Sequence, residues 1–339
     1  MPLQVKDGAT WKEPSQLWVK DGGVWKEAKE GYVKDGGAWK KIWPNTPPSP
    51  STVEYLIVAG GGGGCNMLYP EYKNPPGAGA GGYVAGTMSI NAGTSYPVVI
   101  GAGGANGEGK ITPEGAGGVA YGGARGANSS FNGVVARGGV PAIMSSWNSS
   151  FTELYKNSGY GCGAGADVEG ASQGRGEGWP ATDQGFGGGP FASGVGGGGG
   201  GAGGRGIGAT NNTIHATADQ TNGGGPGKQW VDGNYYAGGG GGSCWQYGVS
   251  CPGGIGGGGN GGINSTPGGA NTGGGGGSAG GYFDSNGSKY SNSQPGGSGV
   301  VILRYPDTFP VATAHPGATH SQSGGYHYYK FTGAGSITF

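Results

Sequence analysis

Short apolar runs frame a long central region that is poor in large apolar side chains. Runs rich in β-branched and aromatic residues lie at 53–58, 82–89, 96–100, 300–305, 326–331 and 336–339. Such runs, bounded by Gly, Pro and Asn, are typical of β-strands. No window shows the 3.6-residue periodicity of an amphipathic helix. The pattern predicts an all-β chain with no significant α-helix.

A 14-residue unit occurs three times at the amino terminus, where Val-Lys-Asp-Gly begins at 5, 19 and 33. Asp-Gly between short alternating segments predicts a β-hairpin, because glycine accepts the positive φ of tight hairpin turns. One hairpin alone is marginally stable in water. We therefore expect the hairpins of residues 1–44 to stack on each other or on other chains, through Trp11, Trp25 and Trp39. This region is interpreted as an attachment or oligomerisation module, with a simple folding cap as the alternative.

A proline-rich linker at 45–52 separates these hairpins from a glycine-rich body at 53–305, and strands at 306–339 are expected to close the body. Glycine accounts for 91 and proline for 21 of the 339 residues, a share typical of disorder. Aromatic residues at 10% and the grouping of glycines into dense runs argue against disorder.

The glycine runs predict a packed bundle of polyglycine II helices. A polyproline II-type helix has three residues per turn and no internal hydrogen bonds, so its N–H and C=O groups point outward. Neighbouring helices can satisfy these groups only where no Cβ holds them apart. Hydrophobic residues are only 33% of the chain, so we expect this lattice to form without a conventional apolar core. Three-residue spacing would place Ala202 and Arg205 on one outer edge.

Charge and motif patterns exclude several function classes. Lys plus Arg and Asp plus Glu number 19 each, so the chain lacks the basic surface that nucleic-acid binding needs. A GxGxxG match from Gly60 fails at Cys65, and a near P-loop fails at Ile111, where Ser or Thr is needed. The carboxylates are scattered, so we predict no enzyme and no cofactor. A glycan-degrading enzyme remains an alternative.

The four cysteines lack metal-ligand spacing, so no metal site is predicted. Cys244 and Cys251 flank a short loop and could form a disulfide, with unpaired thiols as the alternative.

Between the glycine runs, the loops are rich in Tyr, Trp, Ser, Gly and Asn, the composition of antibody paratopes. Loops on a rigid scaffold commonly carry binding residues. The alternative is that the aromatic residues pack against the lattice edges. The candidate receptor-binding residues are Tyr69, Tyr72, Trp147, Phe151, Tyr155, Trp179, Trp230, Tyr235, Tyr236, Trp245, Tyr247, Tyr282 and Phe283.

Several stretches resemble the glycine-rich domain of phage tail fibre and tail-tip proteins. They are EYLIVAGGGGG at 54–64, SYPVVIGAGG at 95–104, SSFNGVVARGG at 129–139, GGSGVVILRYP at 296–306 and YHYYKFTGAGSITF at 326–339. The pattern is also similar to that of the distal adhesins of T-even-like phages, from which the hairpin repeats depart.

This resemblance implies a virion adhesin at the tail fibre or tail tip, built on a polyglycine II scaffold. It implies binding to a host outer-surface receptor, an outer-membrane protein or a surface glycan, and attachment to other tail proteins. A homo-oligomer, with a trimer favoured by analogy, is expected. A purely structural tail component and a disordered glycine-rich protein are the remaining alternatives.

Overall fold

The structure, a computed structural model, describes most of the chain and contains no helix in the part that it describes. The described residues are 3–7, 9–12, 14, 16–43, 49–66, 75–107, 110–111, 120–145, 161–165, 184–189, 196–208, 223–243, 250–284, 287–314 and 316–339. Within these ranges no helix could span a membrane. The all-β prediction is confirmed.

The amino-terminal repeats form three antiparallel hairpins, as predicted. Their strands are β1 (Val5–Asp7), β2 (Thr10–Lys12), β3 (Trp18–Asp21), β4 (Val24–Glu27), β5 (Gly31–Asp35) and β6 (Ala38–Trp43). Gly22 and Gly23 connect β3 to β4 with φ values of 59° and 85°. This pair of positive angles is the two-residue turn that matches the twist of a hairpin.

The remaining strands lie between residues 52 and 338. They are β7 (Thr52–Val58), β8 (Tyr83–Ser89), β9 (Ser95–Val99), β10 (Lys110–Ile111), β11 (Ala120–Gly122), β12 (Ser129–Phe131), β13 (Val134–Ala136), β14 (Ile143–Ser145), β15 (Lys228–Gln229), β16 (Tyr235–Tyr236), β17 (Ser250–Cys251), β18 (Gly261–Gly262), β19 (Gly281–Asp284), β20 (Gly287–Tyr290), β21 (Val300–Pro306), β22 (Thr313–Ala314), β23 (Ala318–Ser323), β24 (Tyr326–Phe331) and β25 (Gly335–Thr338).

Ten of these strands form two five-stranded antiparallel sheets that pack face to face as a sandwich. The first sheet has the order β23-β24-β21-β7-β8, and the second has the order β13-β12-β9-β25-β22. The strands of the carboxyl-terminal tail pair with strands of the body, since β24 pairs with β21 and β25 pairs with β9. The tail is therefore an integral part of both sheets.

The sandwich encloses an apolar core, which corrects the expectation of a body without one. Its buried residues are Val53, Ile57, Ala59, Ile90, Tyr96, Val98, Phe131, Ala136, Val301, Leu303, Tyr305, Ala312, Tyr329, Phe331 and Ile337. They come from strands spread over almost 300 positions, so no local stretch is rich in apolar residues. The other face of β7, with Leu56 and Val58, packs into a second buried cluster.

The glycine runs form a hydrogen-bonded lattice with a three-residue period. The N–H groups of Gly60 and Gly63 donate to Ala127 and Ala124, and those of Gly61 and Gly64 donate to segment 294–297. Successive N–H groups therefore point to different neighbours, and every third one returns to the same neighbour. This is the geometry of a helix with three residues per turn.

The carbonyl groups of the same segment follow the same rule with other neighbours. Gly60 and Gly63 accept from Gly139 and Ala142, while Gly61 and Gly64 accept from segment 104–107. All ten donor–acceptor distances along 60–64 are 2.9–3.0 Å. The segment is surrounded by six others, namely 75–82, 101–107, 123–128, 137–142, 273–279 and 291–299.

At the glycine positions of the central segment 60–64 no other residue fits, because a Cβ would overlap a neighbouring backbone. A Cβ on Gly61 would collide with the carbonyl of Gly274, and one on Gly62 would collide with the carbonyl of Val140. Each obstacle is main chain in a packed segment and has no side-chain freedom to move away. The expected Ala202 and Arg205 edge is wrong: the chain bends at 202–204, Ala202 is buried and Arg205 is exposed.

Substituting Gly62 with alanine is expected to lower the free energy of unfolding by about 3 kcal/mol or more, the upper range for forcing extra carbons into a packed interior. Chemical denaturation with urea measures the change. Gly333→Ala is the matched control, since its Cβ would meet only the Cα of Gly317 at 3.7 Å. Equal loss of stability in both variants would contradict the close-packed lattice.

Candidate functional site

The lattice grows directly out of one end of the sandwich. β7 continues into segment 59–66, and segment 75–82 continues into β8. In the second sheet, β9 leads into 101–107 and segment 123–128 leads into β12. The body therefore has a sandwich end, where the strands lie, and a distal end, where these lattice segments stop.

Hydrogen bonds place the far ends of several lattice segments at a common level. Gly64 donates to Gln294 and accepts from Gly107, and Ser243 donates to Pro75. The backbone N–H of Ser293 donates to Oδ1 of Asn66 at 2.6 Å. The described residues that flank 67–74, 108–109, 112–119, 190–195, 209–222, 244–249 and 285–286 thus lie on the distal half of the lattice.

Small sheets extend the lattice at this distal end. β10, β11 and β14 form a three-stranded sheet, and β19 pairs with β20 as a hairpin. Ser145 and Gly165, which precede 146–160 and 166–183, also lie at the distal end, whereas Gly161 and Gln184, which follow these ranges, lie near the sandwich. Of these nine stretches between described segments of the body, seven therefore have both flanking residues on the distal half.

Polar side chains cap the distal ends of the glycine segments, a role that the sequence analysis did not assign. The N–H of Cys65 donates to Oγ of Ser278 at 3.1 Å. The N–H of Gly280 donates to Oγ of Ser291 at 2.9 Å. An unpaired buried backbone group is costly, so these hydroxyls stabilise the rim of the lattice. A single Ser or Asn at the end of a glycine run is the signal that could have found them.

Most of the predicted receptor-binding aromatic residues lie outside the described residues. These are Tyr69, Tyr72, Trp147, Phe151, Tyr155, Trp179, Trp245 and Tyr247. Tyr282 and Phe283 belong to β19 at the distal end. Their role in binding stays a prediction.

Trp230 and Tyr236 are buried, and the structure does not present them to solvent as predicted. Trp230 is 8% exposed and contacts Tyr328 edge to face, with ring centroids 6.4 Å apart. The Tyr236 hydroxyl donates to Oδ2 of Asp232 at 2.7 Å, and burial followed by this bond raises the pKa of Tyr236. Both residues pack the first sheet against the lattice, which is the alternative that the sequence analysis left open.

Tyr235, in contrast, is 39% exposed and lines an open groove of about 490 Å³ at the sandwich end. The other walls are the turns at 255–257 and 270–272 and the side chain of Lys330. Tyr235 is thus accessible, but on the side of the molecule away from the distal end.

Cys251 takes part in a disulfide, whereas Cys65 and Cys162 are buried reduced thiols. Cys244, the remaining cysteine of the chain, lies outside the described residues, so the pairing of Cys244 with Cys251 stays a prediction. Burial raises the pKa of the Cys162 thiol to about 12. This thiol is therefore protonated at neutral pH and is a poor nucleophile.

Among the described residues, no three His, Cys, Asp or Glu side chains lie close enough to hold a metal ion. Two of the tryptophans predicted to mediate attachment are accessible, since Trp25 is 62% and Trp39 is 68% exposed; their role stays a prediction. Trp11 lies in β2.

These features define an all-β protein in which a glycine lattice is continuous with a β-sandwich. A model of the glycine-rich domain family matches residues 39–306, which is most of the chain, and the chain belongs to this family. A search of curated proteins finds no match. The matched range stops at the end of β21, although the strands that follow it complete both sheets.

Replacing Trp230 with alanine is expected to cost about 3–5 kcal/mol of unfolding free energy, the usual loss for a large buried aromatic side chain. Tyr235→Ala is the matched control from the same hairpin and should cost about 1 kcal/mol or less. Urea denaturation measures both values. A Trp230 variant of unchanged stability would contradict the buried role.

Alkylation with iodoacetamide should count the cysteines in three steps. The native protein is expected to react slowly, because its described cysteines are buried or in a disulfide. Denaturation should release Cys65 and Cys162 for labelling, and reduction should then release Cys244 and Cys251. Mass spectrometry of the labelled peptides reads the result, and labelling of Cys244 before reduction would contradict the predicted disulfide.

Proposed function

We propose that this protein is a phage tail adhesin that binds a host-surface receptor through its distal end. The observation that carries the proposal is that the described residues flanking seven segments of the body all lie on the distal half of one lattice. The hairpins lie before β7, and β7 begins at Thr52 in the sandwich. This order along the chain suits attachment through the hairpins and recognition at the distal end.

Rigidity of the lattice supports this role. Segments held at both ends by a packed scaffold lose less conformational freedom on binding than free loops do, so more of the contact energy appears as affinity. The scaffold carries almost no side chains in its interior, and sequence changes in the distal segments therefore leave its packing intact. Binding specificity can vary without a change of fold.

The composition of the segments between these distal flanks supports a receptor of mixed polarity. Tyr69 and Tyr72 lie in 67–74, and Trp245 and Tyr247 lie in 244–249. Tyrosine and tryptophan provide large contact areas at low entropic cost, and the neighbouring Asn, Ser and Gly provide adaptable hydrogen bonds. An outer-membrane protein and a surface glycan both suit this chemistry. On this proposal the protein is part of the virion, and residues 1–44 contact other tail proteins.

A structural tail component without receptor binding is the second candidate. The burial of Trp230 and Tyr236 favours it to a limited degree, since aromatic residues between glycine runs can serve packing alone.

The combined substitution of Tyr69 and Tyr72 by serine is expected to reduce adsorption to host cells about tenfold or more, because aromatic anchors dominate the energy of most interfaces. Adsorption rates of phage carrying the variant, or binding of the purified labelled protein to a panel of bacteria, measure the effect. Tyr235→Ser, exposed at the sandwich end, is the matched control and should adsorb normally. Unchanged adsorption of the distal variant, together with that of Trp245→Ser, would favour the structural candidate.

A further inference from the structure

The hairpins carry an unusual concentration of exposed apolar side chains. The described residues expose large apolar side chains at eight positions in β1–β6 and at eight positions in all the rest of the chain. The eight in the hairpins are Val5, Trp18, Val19, Val24, Trp25, Tyr32, Val33 and Trp39. A concentration of exposed large apolar side chains of this kind usually marks an interface.

The second hairpin, β3 and β4, has two faces, and the charged side chains pair with each other on only one of them. Its cross-strand pairs Trp18–Glu27 and Lys20–Trp25 alternate with the pairs Val19–Lys26 and Asp21–Val24. Side chains of directly paired residues share a face, and successive pairs alternate between faces. Trp18, Lys20, Trp25 and Glu27 therefore form one surface, which we call the tryptophan face.

On the opposite face, the two charges satisfy each other, since Nζ of Lys26 lies 2.8 Å from Oδ2 of Asp21. On the tryptophan face, Nζ of Lys20 lies 6.0 Å from the centroid of the Trp25 ring. Within the described residues, neither Lys20 nor Glu27 forms an ion pair. The tryptophan face thus presents one positive and one negative charge on either side of two exposed indole rings.

Such a face is complementary to itself. In an interface with twofold symmetry, if residue i contacts residue j of the partner, then j contacts i. A second copy placed face to face would bring Lys20 against Glu27 in both directions and would bury Trp18 and Trp25 of both chains. We propose that the tryptophan face of the second hairpin pairs with the same face of a second copy of this chain.

A comparison with the third hairpin, β5 and β6, indicates why two copies of the chain would pair through the second hairpin. Lys34 and Trp39 repeat the Lys20–Trp25 pair, but Lys41 stands where the second hairpin has Glu27. Lys41 is held by Glu30 of its own chain, with Nζ 2.8 Å from Oε1. The corresponding face therefore has no unpaired acidic residue to receive Lys34 of a second copy, and it lacks the self-complementary charges of the second hairpin.

Pairing of two copies would also stabilise the exposed strands of the second hairpin. A two-stranded hairpin is marginally stable in water and needs a further surface to pack against. The proposed contact supplies this surface and makes the protein a dimer rather than the trimer expected from the resemblance to tail fibres. It does not depend on receptor binding at the distal end.

Sedimentation velocity of the full chain over a range of concentrations tests the pairing. The wild-type protein is expected to form a concentration-dependent dimer. Trp25→Ser should raise the dimer dissociation constant about tenfold or more, as expected for a buried aromatic anchor. Lys20→Glu and Glu27→Lys should each weaken the dimer about fivefold, because each places like charges opposite each other.

The decisive variant combines Lys20→Glu with Glu27→Lys, since it restores opposite charges across the twofold axis and should recover the wild-type dissociation constant. Lys26→Glu on the opposite face is the matched control and should dimerise normally. Unchanged thermal unfolding of every variant excludes loss of the fold. A monomer at all concentrations, a trimer, or a combined variant no tighter than the single ones would overturn the proposal.

Discussion

The pairing of main-chain amides between glycine segments, with no Cβ between them, is the constraint on which the rest of the molecule depends. Ordering a glycine costs more conformational entropy than ordering any other residue. Each backbone hydrogen bond contributes only about 1 kcal/mol net. A lattice of this kind is therefore stable only if almost every amide is paired, as along 60–64. Each interior segment needs neighbours on all sides, so the segments form a bundle rather than a sheet.

The sandwich and the lattice support each other. Strands such as β7 and β9 run without interruption into lattice segments, so the side chains that set the strand register also set the register of the glycines. Phe131, Leu303 and Phe331 provide the hydrophobic burial that glycine lacks. The lattice in turn covers the edge of the sandwich core through Gly299, whose N–H donates to Gly101. The distal end, far from this core, depends on side-chain caps such as Ser278.

Much of the fold could be predicted from the sequence because its signals are local. The Asp-Gly repeats predict the hairpins, and dense glycine runs with three-residue geometry predict the lattice. The sandwich could not be predicted, since its core residues are separated by long glycine segments and β23 has no alternating pattern. Trp230 was assigned wrongly because a loop composition does not tell whether an aromatic ring faces the lattice or the solvent. The shared position of the described residues that flank these segments follows only from long-range hydrogen bonds.

Hydrogen exchange of the glycine amides in 60–64 tests the lattice most directly, because it reports each backbone hydrogen bond without requiring a side chain. NMR or mass spectrometry of peptides from this segment can follow the exchange. If the lattice forms as described, these amides exchange as slowly as those of β7 and β21, and they become exposed only on global unfolding. Exchange within seconds, at the rate of an unstructured glycine chain, would contradict the account.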